Sequence, residues 1–265
     1  MTPVRTENTF PSDPPWIRTS TVKLFEGFAH LLMNVEKSLS MMGVLTGVAG
    51  IGKTVALHMY HKALEQEPAS PKCISLRVKP RATPRMLATQ MLEAIGEPLP
   101  SSSTKLAMMD ATVQVMKQHN LRLFILDEAD SLDGESIKMV QSVFDSTGCP
   151  ILLIGLPGLW EKIALYDQLV SRIGVRMKVP SLTFDEVLHV LLPDLVFPGW
   201  VFNPADEADC SLAEEIWQQT CPSLRRLTHV LVTASHIAHI QHRLTITREC
   251  IRRALQMVVP PDTSA

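Results

Sequence analysis

Gly47-Val-Ala-Gly-Ile-Gly-Lys-Thr54 is the stretch of sequence that decides the fold. It fits the pattern G-x-x-x-x-G-K-[ST], in which the backbone N–H groups of a glycine-rich turn wrap the β-phosphate of a nucleotide. In that pattern the lysine places a positive charge on the β- and γ-phosphates, and the Ser or Thr hydroxyl holds Mg²⁺. Residues 41–46 are apolar and predict a strand before the motif, and residues 53–67 predict a helix after it. The sequence therefore predicts a loop that binds ATP with Mg²⁺.

The residues that we expect to contact the nucleotide share one stretch, from the end of the strand to the first turn of the helix. They are Gly47, Gly50, Ile51, Gly52, Lys53, Thr54 and Val55. The phosphates also meet the N-terminus of that helix, where unpaired backbone N–H groups favour an anion. Thr54 is the expected magnesium ligand of this set.

A second motif supplies the acids that ATP chemistry needs. Residues 121–126 form an apolar run typical of a buried strand, and the run leads directly into Asp127 and Glu128. We expect Asp127 to contact the nucleotide site as a second magnesium ligand, and Glu128 to orient or deprotonate the attacking water. The alternative is an acid pair at the surface that caps the next helix. The presence of both motifs in one chain favours the catalytic interpretation.

The letters Asp127-Glu-Ala-Asp130 also spell the signature of DEAD-box RNA helicases. The chain has no room for a second RecA-like domain, and no arginine-rich helicase motif follows. We therefore interpret the match as a coincidence.

Strands and helices follow one another in a regular order along the chain. Short apolar strands alternate with helical segments up to Pro180, and only helical segments follow it. This alternation predicts an α/β fold with a central parallel sheet covered by helices. We expect an extended arm over residues 1–20, an α/β ATPase core over 21–180 and a small helical lid domain over 181–265.

The overall composition excludes some classes of protein. The 265 residues are 46% apolar, and 25 Lys and Arg face 27 Asp and Glu, which gives a net charge of -2. A histone-like or wholly basic nucleic-acid binder is therefore excluded, as is a chain too polar to fold. Only the local distribution of charge can argue for nucleic acid.

The five cysteines and the apolar runs indicate in which cellular compartment the protein is expected. No two cysteines form a CxxC pair, so we expect reduced, mostly buried thiols. No apolar run approaches the length of a membrane span, and the first residues lack the apolar region of a signal peptide. We therefore expect a cytoplasmic protein without a membrane partner.

Three arginines are candidates for contacts with ATP. Arg172 lies between the fourth predicted strand and the fifth, where oligomeric ATPases place an arginine finger near the γ-phosphate of a neighbouring subunit. The alternative is an exposed arginine at a helix end. Arg225 and Arg226 lie at the start of the long helix near the C-terminus. One of them could reach back to the nucleotide as a sensor; the alternative is that neither contacts it.

One stretch of the chain is locally basic. No acid occurs between Glu67 and Glu93, while Lys79, Arg81 and Arg85 follow the second predicted strand. A loop of this kind can neutralise the phosphates of nucleic acid without reading bases. A neighbouring polar loop contains Ser103, Thr104 and Lys105. The alternative is a solvated loop with a purely structural role.

With both motifs, the downstream arginine and the helical C-terminal region, the sequence resembles the AAA+ ATPases. Within that superfamily it is most similar to the TnsC/TniB/MuB group of transposition regulators. Residues 167–172 are similar to the pattern D-x-Q-[VL]-x-x-R of that group, and the two loops with basic or polar residues match as well. The compact length also fits, and the resemblance covers about residues 22–257.

The resemblance implies a function and partners. Members of this group assemble with ATP into a filament or ring on duplex DNA, without sequence preference, and hydrolysis disassembles it. Loops at the places of the basic loop and the polar loop contact the DNA backbone in this group. The resemblance therefore implies contacts to duplex DNA from Lys79, Arg81, Arg85, Ser103, Thr104 and Lys105. The assembly would select the target site and recruit or activate a DDE transposase, with a TniQ-type targeting protein as a further partner.

Two positions depart from the family pattern. The fourth strand ends in Ile154-Gly-Leu-Pro157, where the family often has a Thr or Asn that senses the nucleotide. The lid helix lacks the usual glycine before its arginines. Other AAA+ roles therefore stay open: a helicase loader, an ExeA-like secretion ATPase, or a nucleotide-binding scaffold without turnover.

Overall fold

A computed structural model of the protein describes residues 17–36, 39–66, 72–98, 104–195, 199–221 and 223–259. In these residues five parallel strands form one sheet, in the order β2-β3-β4-β1-β5. The strands are β1 (Met42–Thr46), β2 (Cys73–Arg77), β3 (Leu123–Asp127), β4 (Ile151–Gly155) and β5 (Ile173–Lys178). All strands run parallel, so the carboxyl ends of β1, β3 and β4 lie along one edge.

Burial follows the position of each strand in the sheet. Every residue of β1, β3 and β4 is buried, because helices cover both faces of a parallel sheet. The edge strand β5 alternates between half-buried and exposed residues. The three continuous apolar runs are therefore the central strands.

The helices along the first 180 residues flank this sheet. They are α1 (Ser20–Asn34), α2 (Lys53–Glu65), α3 (Pro84–Ile95), α4 (Lys105–Gln118), α5 (Gly134–Thr147), α6 (Gly158–Ile163) and α7 (Asp167–Val170). Thr83 caps α3 through a hydrogen bond from the Met86 N–H, and Gly96 ends it in the left-handed region.

The chain after residue 180 is helical. It contains α8 (Phe184–Glu186), a π-helical segment (Val187–Leu191), α9 (Leu192–Asp194), α10 (Glu207–Thr220), α11 (Leu224–Ile240) and α12 (Arg248–Val258). Side chains of Asp206, Ser223 and Thr247 accept N–H hydrogen bonds at the starts of α10, α11 and α12.

The described residues divide into two compact units. One contains residues 24–48 and 53–180 and holds the sheet. The other contains the described residues of 1–23, the turn 49–52 and the helical residues after 180. The phosphate-loop sequence therefore contributes to both units.

The predicted α/β fold with a parallel sheet and a helical C-terminal region is confirmed. Helix α5 begins at Gly134, because Asp133 caps it and residues 129–131 form a 3₁₀ turn. The sequence does not predict α6 and α7, whose few residues carry too little periodicity.

The cysteines are all free thiols, and only Cys149 and Cys250 are buried. The expectation of mostly buried thiols is therefore wrong for Cys73, Cys210 and Cys221, which are half-buried. Burial of the thiol group raises the pKa of Cys73 and of Cys149 to about 12. None of the described helices has the length and apolarity needed to cross a membrane.

Candidate nucleotide-binding site

The two predicted motifs meet at the carboxyl edge of the sheet. The phosphate loop follows β1, and Asp127 is the last residue of β3. Strand β4 lies between them, and its last residue, Gly155, accepts a hydrogen bond from the Gly47 N–H at 3.2 Å. Residues far apart in sequence therefore lie side by side because the strands are parallel.

Asp127 and Thr54 are in direct contact. The Thr54 hydroxyl donates to Oδ2 of Asp127 at 2.9 Å, and Asp127 is only 4% exposed. The Glu128 N–H donates to Oδ1 of the same carboxylate at 2.9 Å, which fixes its orientation. Hydroxyl and carboxylate oxygens this close together fit a shared Mg²⁺ ion, which binds few protein oxygens and keeps water and phosphate ligands.

Metal binding by protein side chains alone has no other support in the described part of the chain. No group of three or more His, Cys, Asp or Glu residues comes together there as a ligand set. A magnesium ion at Thr54 and Asp127 would therefore depend on oxygens from a bound nucleotide, which suits an ATP site.

Lys53 lies against the backbone of the loop that it follows. Its Nζ donates to the carbonyl oxygens of Gly47 at 2.7 Å and Val48 at 3.0 Å. These bonds hold the positive charge beside the loop, where the motif predicts phosphate.

The turn 49–52 packs on the start of α11 within the helical unit. Gly50 has φ +78°, and a Cβ there would lie 2.5 Å from the Ser223 hydroxyl. The Arg225 N–H donates to the Gly50 carbonyl oxygen at 3.2 Å. Gly50 is therefore required both by its backbone conformation and by the close approach of Ser223.

Other predicted nucleotide contacts differ in exposure. Ile51 is buried, Val55 is exposed, and Gly52 has φ +103°. The Arg225 and Arg226 side chains are exposed, and the Arg226 N–H is used by the Ser223 cap. The structure thus brings Arg225 to the loop through its backbone.

Glu128 forms an ion pair that sequence analysis missed. Its Oε1 accepts a hydrogen bond from Nη2 of Arg77, the last residue of β2. This bond raises the pKa of the Arg77 guanidinium. Glu128 also has φ +57°, a backbone conformation that residues other than glycine rarely adopt. The sequence shows Arg77 only as part of an acid-free stretch. It does not show that β2 lies beside β3, so this ion pair could not be predicted from it.

Arg172 also has a partner within its own chain. Its Nε and Nη2 donate to the Asp145 carboxylate on α5 at 2.5 and 2.7 Å, and its Nη1 donates to the Gln168 carbonyl oxygen at 2.5 Å. The hydrogen bonds from Arg172 hold the pKa of Asp145 below its usual range. Neither sequence interpretation, a finger or an exposed helix-end arginine, anticipated this bidentate pair.

The basic loop is exposed, and its backbone is hydrogen-bonded to side chains of α3 and α5. Within the described part of the chain, no carboxylate pairs with Lys79, Arg81 or Arg85, and all three are exposed. The backbone is fixed, because Gln90 Oε1 accepts from the Lys79 N–H at 3.4 Å and the Ala82 carbonyl accepts from the Ser136 hydroxyl at 2.8 Å. The loop therefore presents exposed positive side chains on a hydrogen-bonded backbone.

The polar loop, like the basic loop, contacts the first turn of α5. Thr104 caps α4 by accepting from the Ala107 N–H at 3.3 Å, and Lys105 Nζ donates to Glu135 at 3.1 Å. Glu135 and Ser136, in the first turn of α5, thus contact the polar loop and the basic loop respectively. Ser103 lies outside the described residues.

Comparison with known proteins agrees with this geometry. The sequence pattern of the family described as AAA domain matches residues 36–163. A curated relative, a potential ATP-binding protein of Staphylococcus aureus, is 26% identical over 137 residues, which are 52% of this chain and 51% of the relative. The aligned segment thus spans about half of each protein.

Two solved structures are similar over nearly the whole chain. The Aeropyrum pernix ORC2 protein in its ADPNP–ADP complexes has a TM-score of 0.72 at 18% identity, covering 98% of this chain and 72% of that one. The Aeropyrum pernix ORC1 protein in complex with DNA has a TM-score of 0.70 at 20% identity, covering 95% and 66%. The chain has the AAA+ P-loop fold.

The end of β4 carries a contact that the sequence did not predict. No Thr or Asn stands where the family resemblance predicts a polar sensor, because Gly155-Leu-Pro157 occupies this part of the sequence. The Asp130 carboxylate lies at this end of β4, where Oδ1 accepts from the Leu156 N–H at 3.0 Å. Asp130, the last residue of the Asp127–Asp130 segment, therefore makes a structural contact of its own.

Proposed function

We propose that this protein is an AAA+ ATPase that binds duplex DNA in an ATP-dependent way. The observation that carries the ATPase part is the contact between Thr54 and Asp127, at 2.9 Å, with Lys53 against the loop and Glu128 next in sequence. These four groups are the ones that phosphoryl transfer requires.

The proposed reaction assigns a role to each group. Lys53 neutralises charge on the β- and γ-phosphates, and Glu128 accepts a proton from the attacking water. A magnesium ion held by Thr54 and Asp127 supplies neutralisation of the phosphate charge when bound. The intact Lys53, Asp127 and Glu128 argue against a scaffold without turnover.

DNA binding is proposed for the surface formed by Lys79, Arg81, Arg85, Thr104 and Lys105. The first three have exposed cationic groups that no described carboxylate neutralises, while Lys105 is shared with Glu135. Exposed cations on an anchored loop suit phosphates, which fix position without reading sequence. The AAA+ neighbour solved in complex with DNA has the same fold, which is compatible with this proposal.

The finer proposal is a role in transposition. It is supported by the similarity of residues 167–172 to the transposition regulators and by the two candidate DNA loops. In this role the subunits assemble on DNA with Arg172 serving the neighbouring active site, and the assembly recruits a DDE transposase with a TniQ-type protein. Helicase loading is the alternative function.

The proposal is tested first on ATP. Lys53→Ala should lose binding of a fluorescent ATP analogue and ATP-dependent retention on duplex DNA, because the charge that contacts the phosphates is gone. Lys62→Ala, in the last turn of the same helix, is the matched control and should retain both. Normal ATP affinity in Lys53→Ala would overturn the assignment.

The transposition role needs a separate test. Where a DDE transposase gene lies beside the gene for this protein, strand transfer by that transposase should depend on this protein and on ATP. Stimulation of helicase loading, with no effect on strand transfer, would instead support the alternative.

A further inference from the structure

Asp130 connects the turn after β3, residues 128–131, to the end of β4. Its Oδ1 accepts from the Leu156 N–H at 3.0 Å, and its own carbonyl oxygen accepts from Lys162 Nζ at 2.8 Å. A Cβ on Gly155 would lie 2.6 Å from Oδ1 and 3.3 Å from the Asp130 nitrogen. The absence of a side chain at Gly155 therefore makes room for this carboxylate.

The loop that Asp130 anchors begins with a strained residue. Glu128 has φ +57°, and a non-glycine residue keeps such a conformation only where surrounding contacts impose it. Ala129 is fully buried beside it, and the Ser131 N–H donates to the Glu128 carbonyl oxygen at 2.9 Å. The Asp130 side chain bonds to the residue that follows β4, while the Glu128 side chain bonds to Arg77 of β2.

Strand β4, whose end is hydrogen-bonded to Asp130, also contacts the phosphate loop. The Gly155 carbonyl oxygen accepts from the Gly47 N–H at 3.2 Å, one residue before the Leu156 N–H that Asp130 holds. The end of β4 thus connects the turn after Glu128 with the first residue of the phosphate loop. A displacement of Asp130 would be transmitted to the separation of Glu128 from the bound phosphates.

We propose that Asp130 is a positioning residue for ATP hydrolysis. Its hydrogen bond to the end of β4 holds Glu128 in its left-handed conformation and at a fixed distance from the phosphate loop. It does so through a hydrogen bond between the turn after β3 and the residue that follows β4. This inference rests on the proposed ATPase function.

The test compares four variants in ATPase kinetics and in binding of a fluorescent ATP analogue. Asp130→Ala should lower kcat roughly 10- to 100-fold, as expected when a catalytic group is misplaced by about 1 Å. Its affinity for the analogue should stay within about twofold of wild type, since every ground-state interaction with the nucleotide is kept. Asp130→Asn keeps an oxygen acceptor at Oδ1 and should retain most of kcat.

Asp133→Ala is the matched control, because it removes an aspartate from the same loop. The Asp133 carboxylate accepts from the Ser136 N–H at 2.7 Å and caps α5, so its removal should lower the melting temperature without a specific effect on kcat. The fourth variant, Gly155→Ala, would place a Cβ 2.6 Å from Oδ1 of Asp130 and 2.9 Å from Cδ2 of Leu159. It should reproduce the kcat defect of Asp130→Ala, and its melting temperature measures the effect of the Leu159 contact on stability.

Each outcome has a definite meaning. Wild-type kcat in Asp130→Ala, or a decrease in Asp130→Asn as large as in Asp130→Ala, overturns the inference. Parallel decreases of kcat, analogue binding and melting temperature overturn it as well, since they indicate a structural role. If Asp130→Ala does not fold, Gly155→Ala decides: lower kcat with normal binding supports the inference, and normal kcat overturns it.

The proposed function has its own readout in this experiment. A wild-type protein that binds the analogue but releases no phosphate contradicts the ATPase proposal, and the inference with it. An active wild type whose Glu128→Gln variant is inactive, while Asp130→Ala stays fully active, contradicts the inference alone.

Discussion

Arg77 and Glu128 form an ion pair where two neighbouring parallel strands end. Arg77 lies in register with Asp127, so its guanidinium reaches the carboxylate of the next residue along the chain. Both side chains are substantially exposed, at 70% and 39%, and such pairs contribute only about 0–1 kcal/mol. Arg77 also lies two residues before Lys79, so the pair connects the proposed DNA surface with the proposed catalytic base.

We therefore predict that Arg77→Ala raises ATP hydrolysis in the absence of DNA and reduces its stimulation by DNA. The reason is that the Glu128 oxygen bound by Arg77 becomes available to water. The measurement is phosphate release with and without duplex DNA. Arg81→Ala, on the same loop, is the control and should leave the DNA-free rate unchanged. A DNA-free rate in Arg77→Ala at or below wild type would contradict the prediction.

Glu128→Gln should separate binding from turnover. The amide keeps the size of the side chain but cannot accept a proton, so hydrolysis should fall by about 10²-fold or more while ATP binding and ATP-dependent assembly persist. Single-turnover hydrolysis and analogue binding measure the two effects. Hydrolysis at the wild-type rate would show that another group is the base.

Arg172 can be tested against its in-chain partner. If Arg172 acts on a neighbouring subunit, Arg172→Ala should lower hydrolysis in the assembly by roughly 10³-fold, while ATP binding by the single subunit is spared. Asp145→Asn removes the bidentate partner but leaves the arginine, so it should retain hydrolysis. Equal decreases in the two variants would indicate that the ion pair has only a structural role.

Mixed assemblies provide a second measurement for Arg172. Arg172→Ala subunits keep an intact ATP site, and Lys53→Ala subunits keep the arginine. A mixture of the two should recover part of the activity that each lacks. No recovery at any mixing ratio would count against an action between subunits.

Replacing Arg81 and Arg85 together by Ala should weaken DNA binding about equally on unrelated sequences. The dependence of log K on log salt should flatten by roughly 0.9 for each phosphate that is no longer neutralised. The control is Arg252→Ala with Arg253→Ala on α12, where Glu215 and Glu249 already neutralise the charges. Unchanged affinity across a salt titration would place the DNA site elsewhere, with Arg225, Arg226 and Arg243 as the next candidates.

The sequence by itself determined the elements and the chemistry of the phosphate loop. The central strands are continuous apolar runs because both of their faces are buried, and the glycines and Lys53 form a local pattern. Asp127 and Glu128 were found for the same reason, since they directly follow a buried strand. These signals are local, so they can be recognised without knowing how the strands are ordered in the sheet.

Only the tertiary structure decided which distant residues contact the proposed catalytic acids. The order β2-β3-β4-β1-β5 places Arg77 beside Glu128 and the end of β4 beside Asp130, and strand order is set by packing over the whole sheet. Asp145 reaches Arg172 in the same way, across 27 residues of chain. Such pairs leave no periodic trace in the sequence, because each partner is fixed by its own strand or helix and they meet only when the sheet is assembled.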